Sequence, residues 1–197
     1  MPTTQSAKPA APGFGAYGAQ GMTGGQALAR TLDAAAGYGM PSVRTKSGVI
    51  VCLRYLTWGR RGNDWLRTAG IQVTDRTIAR WKEGTQFPRE ANRRKIEQAL
   101  WLCRRSSLAD HYKQRLWDNG RGSRIEVYPV DQTTVALNRS RDLRMRHFNV
   151  RTEWAAIVDA WSANDHARLD EVWESMTYAL GSDHDAYTHV SHLGFGV

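Results

Sequence analysis

From Ser47 onward, apolar and polar positions fall into a mostly helical rhythm. Val49, Leu53 and Leu56 recur at i, i+4 and i+7 with Cys52 beside them, which predicts a helix, although the β-branched run Val49-Ile50-Val51 keeps a strand open. Asn63–Ala69 carries Trp65 and Leu66 and reads as a short helix closed by a turn through Gly70. The stretch Thr74–Gly84 is the most sharply delimited of all. Thr74 is a good N-cap, Ile78 and Trp81 point to one side, and Gly84 supplies a left-handed ending. Pro88 opens a further helix with Ile96, Ala99, Leu100 and Cys103 as its buried stripe, and Leu108–Trp117 reads as a separate one closed by Asn119-Gly120 and Gly122.

The second half changes period. Arg124–Val130 alternates in polarity and predicts a strand, in which Pro129, lacking an N–H, marks an edge or a strand end. A loop is expected over Asp131–Arg139, then a short basic helix over Ser140–Phe148 carrying Leu143, Met145 and Phe148. Two amphipathic helices follow: Thr152–Ala163, with Trp154, Ile157, Val158 and Trp161 on one face, and Asp165–Leu180, with Leu169, Val172, Trp173, Met176 and Leu180. Tyr187–Val197 looks extended and is placed to pair with the strand at 124–130. Residues 1–40 are rich in Gly, Ala, Pro, Ser and Thr; their composition predicts a mostly disordered tail, with a short helix around Gln26–Ala36 left open.

Charge sharpens this picture. The formal net charge is +8, but it is unevenly spread: residues 1–40 carry +1, residues 41–155 carry 24 Lys and Arg against 11 acids (+13), and residues 156–197 carry one Arg against seven acids (−6). Twenty of those 24 are Arg, whose planar fork grips phosphate and guanine edges bidentately. A basic middle with an acidic end suits a polyanion-binding module. The expected fold is mainly α: a helix-turn-helix DNA-binding bundle with a small β element and a C-terminal helical hairpin, divided into a 1–40 tail, a 41–122 DNA-binding domain and a 123–197 region. In that reading Thr74–Gly84 is the recognition helix, and Arg60, Arg61, Thr74, Arg76, Thr77, Arg80, Lys82, Arg89, Arg93 and Arg94 contact DNA.

Other chemistries find little support. No Gly-rich phosphate loop follows a strand, and neither a nucleophile elbow nor an HExxH occurs. His184, His189 and His192 with Asp183 and Asp185 form the one cluster with metal-ligand chemistry, but alternation on a strand turns His189 away from His192, so no metal and no cofactor is expected. Asp159, Asp170, Glu171 and Glu174 read as solvated helix faces rather than catalytic carboxylates. Cys52 and Cys103 have no metal or redox spacing and read as buried thiols of a reducing cytosol. No apolar run reaches membrane-spanning length and the first residues show no signal-peptide pattern, so a cytoplasmic, nucleoid-associated protein without membrane contact is expected. Of eight Trp, Trp65, Trp81, Trp101, Trp154, Trp161 and Trp173 fall at core spacing, while Trp58 and Trp117 sit among arginines, where packing is the first reading and stacking on unpaired bases the second.

From about Ser47 to Val197 these motifs resemble the telomere terminal proteins of Streptomyces linear chromosomes and plasmids. The resemblance is carried by Val73–Trp81 with Gly84, by the Pro88–Cys103 helix, by Gly122–Val127, most sharply by Ser140-Arg141-Asp142-Leu143-Arg144-Met145-Arg146-His147-Phe148, and by Asp185–Val197 with Val190, His192, Leu193 and Phe195. It implies binding to telomeric duplex DNA and covalent attachment to the 5′ end, with a hydroxyl accepting the first deoxynucleotide so that the protein primes end patching. That hydroxyl falls on Ser140, where the family has Thr; Thr133 and Thr134 are the neighbouring alternatives. Arg139, Arg141, Arg144 and Arg146 would supply the field that draws in a triphosphate; on the sequence alone Ser140 reads first as the N-cap of the following helix, and priming enters with the resemblance. The implied partners are a DNA polymerase and a telomere-associated helper protein, the chain being the polymerase's substrate and not itself an enzyme. The alternative is a non-covalent helix-turn-helix regulator or plasmid maintenance protein that forms homodimers through its acidic C-terminal helices. Two features depart from the family: Ile71-Gln72 lengthen the turn before Val73, and the Gly/Ala-rich N-terminal segment is foreign to it.

Overall fold

In the computed structural model, which describes residues 22–58, 61, 63–129, 145–178 and 189–195, the first described element lies within the stretch whose composition suggests a tail. Met22–Thr23 forms a short strand, β1, and Gly24–Ala36 forms helix α1. Leu28 and Leu32 are fully buried, with Ala27, Ala29 and Thr31 alongside. The short helix left open around Gln26–Ala36 is therefore present and begins at Gly24, and the expected tail is corrected for residues 22–36; residues 1–21 lie outside the described set. The physical reason lies in the two glycines that open the helix. A Cβ on Gly24 would sit 2.1 Å from the Trp173 ring, and one on Gly25 would meet Asp170 Oδ1 at 2.4 Å. Read in isolation, those glycines look like disorder; in the fold they let the α1 backbone lie directly against another helix.

The remaining elements are α2 (Lys46–Leu56), α3 (Asp64–Thr68), α4 (Asp75–Glu83), α5 (Glu90–Trp117), β2 (Ser123–Pro129), β3 (Arg146–Val150), α6 (Glu153–Ser162), α7 (His166–Tyr178) and β4 (His189–Gly194). The described chain is thus mainly helical with a small antiparallel sheet of order β1-β4-β2-β3. Two expected elements differ. The Pro88 helix and the Leu108–Trp117 helix are one, since nothing between Cys103 and Leu108 breaks the backbone ladder, and Ser107 Oγ donates to Cys103 O at 2.8 Å within the turn. The helix expected over Ser140–Phe148 is replaced at its end by β3: Arg146–Val150 pairs with β2 in the register Ile125↔Phe148 and Ser123↔Val150. Cross-strand pairing to an apolar neighbour outweighs the weak helical pattern of so short a segment. As expected, 189–194 pairs with β2, at Val127↔Leu193 and Tyr128↔His192, and the register shifts at Pro129, the last residue of the strand.

The described residues fall into two compact units, drawn differently from the expected 41–122 and 123–197 division. A sheet unit joins the residues up to Ala34 to those from Lys113 onward; a helical unit spans Ala35–Tyr112. In the sheet unit, Trp154, Ile157, Val158 and Trp161 of α6 and Leu169, Val172, Trp173 and Met176 of α7 are buried, with Ile125, Val127, Val150, Val190 and Leu193 from the strands. Trp161 Nε1 donates to Asp33 Oδ1 at 2.8 Å, and Gly25 N donates to Asp170 Oδ1 at 3.0 Å, so both ends of α1 are tied to the C-terminal helices. Gly122, at φ +75, passes so close to Val150 O that a Cβ would stand 2.1 Å from it. No described helix is long and apolar enough to cross a membrane.

If α1 belongs to this core, Leu32→Ala should lower stability by about 2–5 kcal/mol in urea unfolding, the range for an emptied leucine site. A change under about 0.5 kcal/mol would return the segment to a dispensable tail.

Candidate nucleic-acid interface

The helical unit is built around Val49, Cys52, Leu53, Leu56, Leu66, Ile71, Ile78, Trp81, Ile96, Ala99, Leu100 and Cys103. It carries fifteen Lys and Arg against six acids, a net +9. Within it α4 is held at both ends by local chemistry. The Thr74 hydroxyl accepts from Thr77 N, the expected N-cap, and the two threonine hydroxyls lie 3.0 Å apart. At the other end Gly84 adopts φ +76, with its own N–H and that of Thr85 reaching back to Trp81 O and Arg80 O, the paired closure of a Schellman ending. A Cβ there would press to 2.8 Å from Ile50 Cδ1, so the left-handed glycine also lets α4 close on α2. Ile78 and Trp81 are buried and anchor the helix.

The turn that leads into α4 is fastened from three sides. Gly70, at φ +81, closes α3 by the same paired bonds, Ile71 N to Leu66 O and Gly70 N to Arg67 O. Arg67 then spans the turn: its guanidinium donates to Ile71 O at 2.9 Å and Val73 O at 2.6 Å, and pairs with Asp75 Oδ1 at 2.5 Å. Asn63 Nδ2 reaches the same carboxylate oxygen at 3.0 Å, and Lys95 Nζ donates to Gly70 O at 2.8 Å. The two residues that lengthen the turn have a use, because Ile71 is buried in the core while Gln72 stays exposed. Arg67 also neutralises Asp75, the one acid in the first turn of α4, which would otherwise repel a phosphate.

The expected contact residues separate into groups. Arg76 and Arg80 lie at i and i+4 on the outer side of α4, exposed and with no hydrogen bond or ion pair from their side chains among the described residues; the same holds for Arg89, and for Lys82, which is half-buried. Thr74 and Thr77 are committed to the cap. Arg61 stacks on Trp65, its guanidinium carbon 4.8 Å from the ring centroid. Arg93 lies over Phe87 at 5.0 Å and donates to Pro88 O, while Arg94 pairs with Glu90 at 2.5 Å one turn away. Arg60, Arg139, Arg141, Arg144, Ser140, Thr133 and Thr134 lie outside the described residues, and Arg146 is placed only by its backbone in β3.

The buried thiols are poor nucleophiles. Burial pushes Cys52 up to about 11, with Glu97 adding to the rise and a backbone hydrogen bond opposing it, and burial likewise raises Cys103. Among the described residues no group of His, Cys, Asp and Glu is arranged to hold a metal; His184, Asp183 and Asp185 lie outside them, and of His189 and His192 only the backbone is placed. Trp58 is exposed at 88 % and Trp117 at 49 %, whereas Trp81, Trp154, Trp161 and Trp173 are buried, as their spacing predicts. Sequence reasoning missed Arg67 and Lys95, because a side chain that caps backbone carbonyls leaves no pattern in the chain.

Arg67→Ala should cost about 1–2 kcal/mol in urea unfolding, since it removes two bonds to carbonyls and one charged partner. Arg76→Ala, on the open face, should stay within about 0.5 kcal/mol. Equal costs would mean that Arg67 does not fasten the turn. No protein-family model, curated protein or solved structure matches the chain, so the reading of this face rests on its own residues.

Proposed function

We propose that the helical unit docks on duplex DNA, with α3 and α4 acting as a helix-turn-helix pair and α4 entering the major groove. The observation that carries this reading is the outer side of α4. Arg76 and Arg80 stand exposed and unpaired among the described residues on a short helix capped at both ends and anchored by Ile78 and Trp81. A pre-set helix with unengaged guanidinium groups is what base-edge or phosphate contact requires. The +9 charge of the unit supplies the longer-range attraction. Arg89 and Lys82 extend the basic face, and Arg61, Arg93 and Arg94 contribute charge from positions where their side chains are already engaged.

The resemblance to telomere terminal proteins extends the proposal. Docked at a linear DNA end, the protein would present the Ser140 hydroxyl to a polymerase. The oxygen attacks the α-phosphate of a deoxynucleoside triphosphate, a phosphodiester forms, pyrophosphate leaves and the hydroxyl proton passes to a base. The seryl nucleotide then primes end patching, with a telomere-associated helper as further partner. The alternative of a non-covalent regulator dimerising through α6 and α7 would draw on their charged outer positions, such as Glu171 and Glu174, because their apolar faces are buried within the sheet unit.

Arg76→Ala and Arg80→Ala should each weaken duplex binding by about 1–3 kcal/mol where the residue reads a base edge, measured by fluorescence anisotropy at fixed salt. A double variant that binds like the parent sinks the groove assignment. For priming, the protein is incubated with its polymerase and a labelled deoxynucleotide and run on a denaturing gel. Label should stay on the chain and vanish in Ser140→Ala. Absence of label with an active polymerase leaves the non-covalent regulator.

A further inference from the structure

A cleft of about 370 Å³ opens in the helical unit, and the α4 docking face makes no use of it. Its walls are aromatic: Tyr55 in the last turn of α2, Trp58 just beyond that helix, and Trp65 on α3. Arg61 lies at its edge with its guanidinium already stacked on Trp65. The floor is Cys103, whose thiol burial keeps protonated, and Ser106 and Ser107 complete the rim. Trp58 is the anomaly. Leu53 and Leu56, one turn or less away, are fully buried, yet the largest side chain of the segment is exposed at 88 %. Tyr55, three residues before it in the last turn of α2, is exposed at 38 %. Leaving an indole in water contributes nothing to the core, so folding alone does not account for its position.

The chemistry of the walls selects an occupant. Aromatic faces beside an arginine attract flat π-systems, and the volume lies near the lower end of the roughly 300–1,000 Å³ typical of small-ligand sites, enough for one base and its sugar. Ser106 has no hydrogen-bond partner for its rim hydroxyl among the described residues, and Ser107, although it donates to Cys103 O, keeps acceptor capacity for a base edge. The net +9 of the unit and Arg61 at the edge favour a partner that carries negative charge beside its ring. A neutral apolar peptide would gain nothing from that field, and a second copy of this unit would be repelled by it.

We propose that this cleft holds an unpaired nucleobase of single-stranded DNA, stacked on Trp58 and Tyr55, with Arg61 reaching the adjoining phosphate. The proposal deepens the duplex-docking reading and rests on it for the polyanion partner. One chain would then grip duplex through α4 and a single strand through the cleft, as a frayed or overhanging end presents both.

The test uses the full chain with two fluorescein-labelled probes, a 20-nucleotide oligothymidylate and a 20-base-pair duplex. Oligothymidylate should bind, and Trp58→Ala should weaken it about ten-fold or more, the scale of one lost base–aromatic stack. The same variant should hold duplex affinity within about two-fold, and Trp58→Phe should recover much of the loss. Because Trp58 is exposed, the variant should keep the parent urea midpoint; Tyr55→Phe, which keeps the ring, controls for local collapse. Oligothymidylate affinity unchanged in Trp58→Ala overturns the cleft, as does equal loss on both probes or a Trp58-dependent self-association in sedimentation. A parent protein that binds duplex but not oligothymidylate overturns the cleft alone; one that binds neither overturns the duplex reading with it.

Discussion

A nine-residue helix cannot hold itself in water. Nucleation costs more than so few backbone bonds return, and a face of arginines adds self-repulsion. Everything on the candidate interface therefore depends on burying two side chains, Ile78 and Trp81, against α2 and its neighbours. Those anchors fix the roll of α4 about its axis and so decide which arginines face outward. The caps fix its ends, and the Arg67 fork fixes the angle at which the chain enters it. Loss of the anchors would remove the helix and the face together.

Much of this was legible because it is local. Thr74, Ile78, Trp81 and Gly84 lie within eleven residues, and cap, spacing and left-handed ending each have a mechanism that needs no tertiary partner. The pairing of 189–194 with β2 was legible from alternation. What sequence obscured was decided at a distance. The helix of α1 was open in the sequence, but its place in a core hides because its apolar side is mostly alanine, and because Gly24 and Gly25 acquire meaning only against Trp173 and Asp170. β3 hides because five residues of mixed polarity take their state from the strand beside them. The candidate contacts show the same limit. A count of arginines marks a basic stretch, but only geometry separates Arg76 and Arg80 from Arg93, laid over Phe87, or Arg94, paired with Glu90.

The charge profile also takes a different form once the units are drawn. The helical unit keeps +9, while the sheet unit carries twelve Lys and Arg against thirteen acids. Net positive charge is therefore concentrated in residues 35–112 rather than spread over the whole basic middle. Within the sheet unit the basic residues precede Glu153 and, apart from Arg168, the acids dominate after it. Lys113 pairs with Asp159 at 2.5 Å, one place where the two blocks meet.

The strand order β1-β4-β2-β3 places β4, at 189–194, between β1 at 22–23 and β2 at 123–129. On a ribosome, the strand that joins the two would be the last of the four to emerge. β1 and α1 would have to wait through the synthesis of more than 150 residues for their sheet partner, whereas the helical unit, drawn from one uninterrupted stretch, has its whole core available as soon as Tyr112 is made. The chain is thus ordered so that the basic module matures first and the sheet unit closes last.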